Sequence, residues 1–87
     1  MMSEQRITGK VLEKEIRVLN TQLTINKISH VQENGQLSKE FKLVQEYGTY
    51  GVDLLVYGNY KRVMNGTAKE VKMFIKGLRG MISLINL

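Results

Sequence analysis

The spacing of apolar residues changes along the chain, and this change limits the folds that the sequence can form. In the first third, aliphatic residues recur every three or four positions: Leu12, Ile16, Leu19 and Leu23. Side chains at this spacing share one stripe of an α-helix. The pattern predicts a helix over residues 9–22. The β-branched residues Val11, Ile16 and Val18 leave a strand as the alternative for residues 1–22.

The middle of the chain has the composition of strands joined by a tight turn. Residues 24–33 are rich in β-branched side chains. The Asn34-Gly35 pair that follows tolerates the positive φ angles of a type I′ hairpin turn. The sequence therefore predicts a first strand over residues 24–33, a turn at Asn34-Gly35 and a return strand over residues 36–46.

Two more turns are predicted farther along. The segment 47–50 contains Gly48 and leads into a strand over residues 51–57. Gly58-Asn59 suits a type II′ turn, which takes glycine at its first central position, and leads into a strand over residues 60–64. Strands connected in this way form an antiparallel meander.

The last third returns to helical spacing. Thr67 and Glu70 form a capping box, in which each side chain accepts a hydrogen bond from the other residue's backbone N–H. The helix predicted over residues 68–85 has one broad apolar face: Val71, Phe74, Ile75, Leu78, Met81, Ile82 and Ile85. The predicted fold class is α+β, in the order α-β-β-β-(β)-α, with a three- to four-stranded antiparallel meander covered by the C-terminal helix.

Length and composition indicate a single domain over residues 1–87. The chain has no cysteine, which excludes disulfides and thiolate metal ligands and suits a reducing compartment. No apolar run approaches the ~18 residues of a membrane span, so we expect a cytoplasmic protein with no membrane partner. The formal net charge of +5 favours acidic proteins or nucleic acids as partners, and the same charge would also serve solubility.

Basic residues concentrate on and before the last helix. Four of them repeat at spacings of three and four, and two more lie in the preceding strand: Lys69, Lys72, Lys76, Arg79, Lys61 and Arg62. This set, the basic face, is a candidate binding site for phosphates or for an acidic protein patch. A solvated helix surface has the same pattern and is the alternative.

A second row on the last helix contains two glycines. It repeats at spacings of four and three, away from the broad apolar face: Met73, Gly77, Gly80, Leu84 and Leu87. A mid-helix glycine costs about 0.5–1 kcal/mol relative to alanine, so close approach of another backbone is the expected reason for two of them. This row, the glycine seam, predicts packing against the first helix, against a second copy in a homodimer or against another protein. Fraying at the helix end is the alternative.

The sequence contains no recognisable catalytic or metal centre. The single histidine, His30, has no partner at ligand spacing, and no glycine-rich phosphate loop opens a helix. The spacing identifies no acid/base partner for Asp53, the only aspartate. We therefore predict a protein that is not an enzyme, with no catalytic residues, no metal site and no cofactor.

The second half of the chain resembles two known families. Residues 40–78 resemble the strand-turn-strand-helix core of double-stranded-RNA-binding domains; Lys69 and Lys72 match part of the family's basic cluster, and Ala68 replaces a further lysine. The same region resembles small accessory proteins of Gram-positive bacteriophages and mobile elements. The residues that carry this second resemblance are Tyr47, Gly48, Tyr50, Gly51, Asp53, Leu54, Gly66, Thr67, Lys69, Glu70, Ile75, Lys76, Gly77 and Leu78.

Each resemblance implies a different partner. Similarity to the phage proteins implies a small interaction protein that binds and modulates a host macromolecule, such as a defence or nucleic-acid-processing protein. Similarity to the RNA-binding domains implies a basic nucleic-acid-binding module. We expect the first function, with the last helix as the binding element, and keep the second as the alternative.

Overall fold

A computed structural model describes residues 7–85, which form two α-helices and three β-strands. In chain order these are α1 (Gly9–Ile25), β1 (Phe41–Glu46), β2 (Thr49–Val56), β3 (Asn59–Gly66) and α2 (Ala68–Ile85). The strands form one antiparallel sheet in the order β1-β2-β3. The predicted α+β class and the meander are therefore confirmed, with three strands.

Both helices pack on one face of the sheet and enclose the core with it. The stripe predicted for α1 is fully buried, together with Val52 of β2 and three residues of α2. The buried cluster consists of Leu12, Ile16, Leu19, Leu23, Val52, Val71, Ile75 and Ile82. The opposite face of the sheet, called here the outer sheet face, carries the side chains that alternate with Val52, including Asp53 and its register partner Arg62.

The helix α1 runs three residues past its predicted end because its C-terminus is capped by backbone hydrogen bonds. The N–H of Ile28 donates to the carbonyl of Leu23, and the N–H of Lys27 donates to the carbonyl of Thr24. This pair of bonds is a Schellman motif. Lys27 adopts a φ of 60° at the position where glycine is usual.

Replacing Lys27 by glycine is expected to raise the free energy of unfolding by about 1 kcal/mol, because a non-glycine residue in the left-handed region is strained by about that amount. Urea denaturation of the Lys27→Gly variant measures the effect. A variant less stable than wild type would show that the Lys27 side chain makes a stabilising contact that outweighs this strain.

The strand predicted over residues 24–33 is wrong, and side chains supply the hydrogen bonds that such a strand would have made. Beyond α1, the segment 26–40 contains only an isolated bridge between Val31 and Leu37. The buried Ser29 hydroxyl accepts from the N–H of Lys39 at 3.1 Å and donates to its carbonyl at 2.8 Å. A serine side chain thus satisfies the backbone just before β1.

Asn20 of α1 satisfies the next backbone position in the same way. Its side-chain nitrogen donates to the carbonyl of Phe41 at 3.0 Å, and its side-chain oxygen accepts from the N–H of Phe41 at 2.8 Å. This is the pattern of bonds that a neighbouring strand makes. Asn20 therefore ties α1 to the edge of the sheet and blocks that edge at Phe41.

The predicted turns differ from the observed ones in type or in position. Gly35 has a φ of 84°, but Asn34 does not have a positive φ, so this turn is not of type I′. The two hairpin loops are Tyr47-Gly48 and Tyr57-Gly58, whose φ angles all lie between 27° and 81°. Both loops therefore have the positive φ angles that a type I′ turn requires, and Asn59 begins β3.

The helix α2 begins at the predicted capping box. The N–H of Thr67 donates to Glu70 Oε1 at 2.8 Å, and the N–H of Glu70 donates to the Thr67 hydroxyl at 3.2 Å. The broad apolar face predicted for α2 is only partly buried, because Met81 and Ile85 remain 59% and 72% exposed. The buried part of α2 is therefore narrower than the predicted face.

The capping box gives the fold a pH dependence. Hydrogen bonds from Thr67, first from its backbone and then from its side chain, hold the pKa of Glu70 below its usual range. A carboxyl group whose pKa is lower in the folded state than in the unfolded state stabilises the fold above the pKa of the unfolded state. This contribution is lost as the pH falls through the pKa of the folded state.

We expect wild type to lose stability relative to Glu70→Gln as the pH falls below about 4.3, the ordinary glutamate pKa. Thermal melts between pH 7 and pH 3 measure this difference. Melting temperatures that fall by the same amount in both proteins would contradict the prediction.

Candidate interaction surface

The structure divides the six residues of the predicted basic face between different surfaces. Four of them lie on α2, whereas Lys61 and Arg62 lie on β3. Arg62 pairs in register with Asp53 on the outer sheet face, and Lys61 pairs with Leu54, so their side chains point to opposite faces of the sheet. The structure does not bring Arg62 together with α2.

Arg62 is the centre of an ion-pair network on the outer sheet face. Its guanidinium binds the carboxylate of Asp53, the carboxylate of Glu46 at 2.9 Å and the side-chain oxygen of Asn65 at 3.0 Å. The hydrogen bonds to Asp53 and then to Glu46 raise the pKa of Arg62. The charge of this arginine is thus matched by two carboxylates, which leaves it less available to phosphates.

Gly51 allows the Arg62 guanidinium to lie against the sheet. A Cβ atom at Gly51 would lie 2.5 Å from Arg62 Nη1 and 2.6 Å from its Cζ, closer than any real contact. A side chain at this position would therefore push the guanidinium away from Asp53 and Glu46. The glycine has a steric role in the network.

A second group on the same face surrounds Tyr60. Its hydroxyl donates to Glu40 Oε2 at 2.9 Å, and Lys42 Nζ lies 5.1 Å from the centre of its ring. Partial burial and the hydrogen-bonded Glu40 carboxylate raise the pKa of Tyr60, which favours the neutral phenol. With the Arg62 network, this gives a face on which positive and negative side chains are paired with each other.

The four basic residues on α2 differ in their surroundings. Arg79 Nη1 donates to Glu15 Oε2 of α1 at 3.0 Å. Lys72 is half-buried, and Lys69 and Lys76 are exposed. At this surface the excess of positive charge therefore comes from lysines.

The glycine seam faces away from the rest of the described chain. Met73 and Leu84 are 64% and 68% exposed. Outside the backbone of α2 itself, a Cβ atom at Gly77 or Gly80 would meet no heavy atom of residues 7–85 within 4 Å. Of the three partners left open for the seam, α1 makes no contact with its two glycines within residues 7–85. Leu87, the last member of the seam, lies outside the described residues.

The exposed Met81 borders the seam and widens it. At about 100° per residue, Met81 lies on the same flank of α2 as Gly77, and Gly80 lies between Lys76 and Leu84. We call this region the outer surface of α2; it consists of Met73, Gly77, Gly80, Met81 and Leu84. It combines three exposed apolar side chains with two positions that have no side chain.

An open groove between α1 and α2 adjoins this surface at Gly80. Its volume is about 270 Å³, and it is lined by Gln22, Lys76, Arg79, Gly80 and Ser83. Gln22 Oε1 and Arg79 Nε are buried in its walls, and neither makes a hydrogen bond within residues 7–85. The groove therefore has a lining of polar and basic side chains beside an apolar surface, with two unpaired polar atoms buried beneath it.

Neither this groove nor the ion-pair network of the outer sheet face was predicted from the sequence. The groove forms where Gln22 of α1 meets α2, a contact that spacing within one helix does not reveal. The alternation of Asp53 with Val52, and of Arg62 with Lys61, is a signal that could have placed the ion pair on the outer sheet face.

The described residues contain neither a cluster of metal-binding side chains nor a helix that could span a membrane. His30 is exposed, with Nδ1 at 3.2 Å from the Ser38 hydroxyl, and within residues 7–85 no three histidine, aspartate or glutamate side chains cluster in a way that could hold a metal ion. Neither described helix is long and apolar enough to cross a membrane. Comparison with protein-family models, with curated proteins and with solved structures finds no match.

Proposed function

We propose that this chain is a non-enzymatic interaction protein that binds a partner protein through the outer surface of α2. The observation that carries the proposal is the pair of glycines flanked by exposed apolar side chains on one side of that helix. Isolated exposed apolar residues are ordinary, but a contiguous group of them is typical of a protein contact.

The energetics of α2 support this use. Each mid-helix glycine lowers helix stability by about 0.5–1 kcal/mol relative to alanine, and the fold itself draws no packing contact from either position. A partner helix can approach most closely where side chains are missing. Burying Met73, Met81 and Leu84 against it would contribute about 25 cal/mol per Å² of apolar surface removed from water.

Nucleic-acid binding, the alternative function, receives less support. It would use the basic face, but Arg62 is paired with two carboxylates on the outer sheet face and Arg79 is paired with Glu15. Lys61, Lys69, Lys72 and Lys76 remain for phosphates. A cytoplasmic, phage-encoded modulator of a host protein is the finer form of our proposal, and it rests on the sequence resemblance.

Affinity purification with the tagged chain, with and without nuclease, separates the two functions. We expect one protein to be recovered in comparable amounts before and after nuclease digestion, because the contact is made by α2 with a protein surface. Loss of all recovered proteins on digestion would contradict the proposal and favour nucleic acid. A salt titration provides a second measure, because phosphate contacts weaken binding steeply as salt rises, by about 0.9 in log affinity per log salt for each neutralised phosphate of duplex DNA.

A further inference from the structure

We infer that the partner presents an acidic amphipathic helix, whose apolar side lies on the outer surface of α2 and whose carboxylates lie over the groove between α1 and α2. The inference rests on the proposed function and adds the chemistry of the partner to it.

Positive charge exceeds negative charge on the helical side of the molecule, because α1 and α2 contain seven lysines and arginines and three glutamates. The groove between the helices has Lys76 and Arg79 in its lining, and a neighbouring groove along α1 has Lys14 and Arg17. The two grooves share Gln22, and neither is lined by a carboxylate. The outer sheet face, by contrast, has its arginine matched by Asp53 and Glu46, so the helical side is where an acidic partner gains most.

The three glutamates of the helices only partly offset this charge. Glu13 of α1 is exposed and lines a different groove together with Arg17. Glu70 is the one carboxylate of α2, and it is engaged by the backbone of Thr67 at the helix start. Glu15 of α1 binds Arg79 through one guanidinium nitrogen, while Arg79 Nε has no acceptor within residues 7–85. Lys69 and Lys76 are exposed beside the glycine seam.

The cationic side chains that line the groove also favour an acceptor-bearing ligand. Lys76 is exposed, and the Arg79 side chain is 36% exposed although its Nη1 binds Glu15. A hydrogen bond to an ionised group is stronger than one between neutral groups. A carboxylate over the groove would therefore meet the Lys76 ammonium beside Arg79, whereas Arg79 Nε and Gln22 Oε1 are buried below the groove surface and lie out of its reach.

The apolar part of the surface fits a helix better than an extended segment. Met73, Gly77, Gly80 and Leu84 follow one line along α2 at spacings of four, three and four. Apolar side chains of a second helix repeat at the same spacings and pack between such rows. A second copy of this chain would add its own net charge of +5 to the exposed Lys69 and Lys76, and like charges juxtaposed across an interface are destabilising.

A surface-displayed library of helical peptides, selected for binding to the full chain, tests the inference. Each peptide has 18 residues. Leu, Met or Ala occupies positions i, i+3, i+4 and i+7, and Glu, Gln or Lys is permitted at the flanking positions. We expect selection to enrich Glu over Lys. Binding of the selected peptides should fall by about tenfold or more on Lys76→Glu, because an attraction becomes a repulsion. The control Lys39→Glu changes the net charge equally at an exposed loop position and should change binding less than about twofold.

Each other outcome overturns the inference. Helices that lose binding on Gly80→Leu but show no preference for Glu would leave the proposed function standing and remove the acidic partner. Glu-rich helices that bind Lys76→Glu as well as wild type would place the contact elsewhere. Failure to enrich any helix would exclude this class of partner, and sedimentation of wild type as a dimer that Gly80→Leu abolishes would assign the surface to a second copy.

Discussion

Replacing Asn20 by leucine is expected to lower the free energy of unfolding by about 2–4 kcal/mol, because the N–H and the carbonyl of Phe41 both lose their partner and each unsatisfied group costs about 1–3 kcal/mol. The Asn20 side chain makes both of these bonds across 21 residues of sequence. Leucine has the same branching at Cγ and is somewhat larger than asparagine, so it keeps water from replacing these bonds.

Two further variants locate the cause of this loss. Asn20→Ala should cost less than Asn20→Leu, because the space beside Phe41 opens into a groove that water can enter. Asn59→Leu, at the exposed start of β3, is the control and should stay within about 0.5 kcal/mol of wild type. Chemical denaturation measures all three, and an Asn20→Leu protein as stable as wild type would show that these bonds do not secure β1.

Replacing Gly80 by leucine is expected to have opposite effects on folding and on binding. The added side chain points into open space, and leucine favours helix over glycine, so the fold should gain about 0.5–1 kcal/mol. The same side chain separates α2 from a partner helix at the point of closest approach. We expect affinity for the recovered partner to fall at least about thirtyfold, the effect of losing a central interface contact worth 2 kcal/mol.

Circular-dichroism melts measure the stability of the Gly80→Leu protein, and titration calorimetry of the same preparation measures its affinity for the partner. The control is Glu33→Leu, which adds an exposed leucine to the loop before β1 and should leave binding unchanged. An unfolded Gly80→Leu protein would mean that Gly80 is packed inside the fold. A folded variant that binds like wild type would remove the outer surface of α2 from the interaction.

Local sequence patterns predicted the elements whose causes are local. The spacing of Leu12, Ile16, Leu19 and Leu23 placed α1, and the Thr67–Glu70 box placed the start of α2. The true end of α1 was missed because Lys27 occupies the position where glycine normally signals a Schellman motif.

Contacts between distant residues account for the features that were missed. The absent first strand depends on Ser29 and Asn20, whose side chains satisfy backbone groups 10 and 21 residues away. Ion pairs between distant residues also separate the two arginines of the basic face from its lysines. Arg79 binds Glu15 from 64 residues away, and Arg62 binds Asp53, its partner in the strand register. The spacing of residues within the predicted helix placed Lys76 and Gly80 correctly on α2. It gave no information on which arginines form ion pairs with carboxylates of other elements.

Hydrogen–deuterium exchange of the chain, alone and saturated with the recovered partner, tests most directly whether the outer surface of α2 is the binding site. We expect slower exchange on binding in residues 73–84 of α2, with little change in β1, β2 and β3. Slower exchange confined to the strands, with α2 unchanged, would place the partner on the outer sheet face and contradict binding through α2.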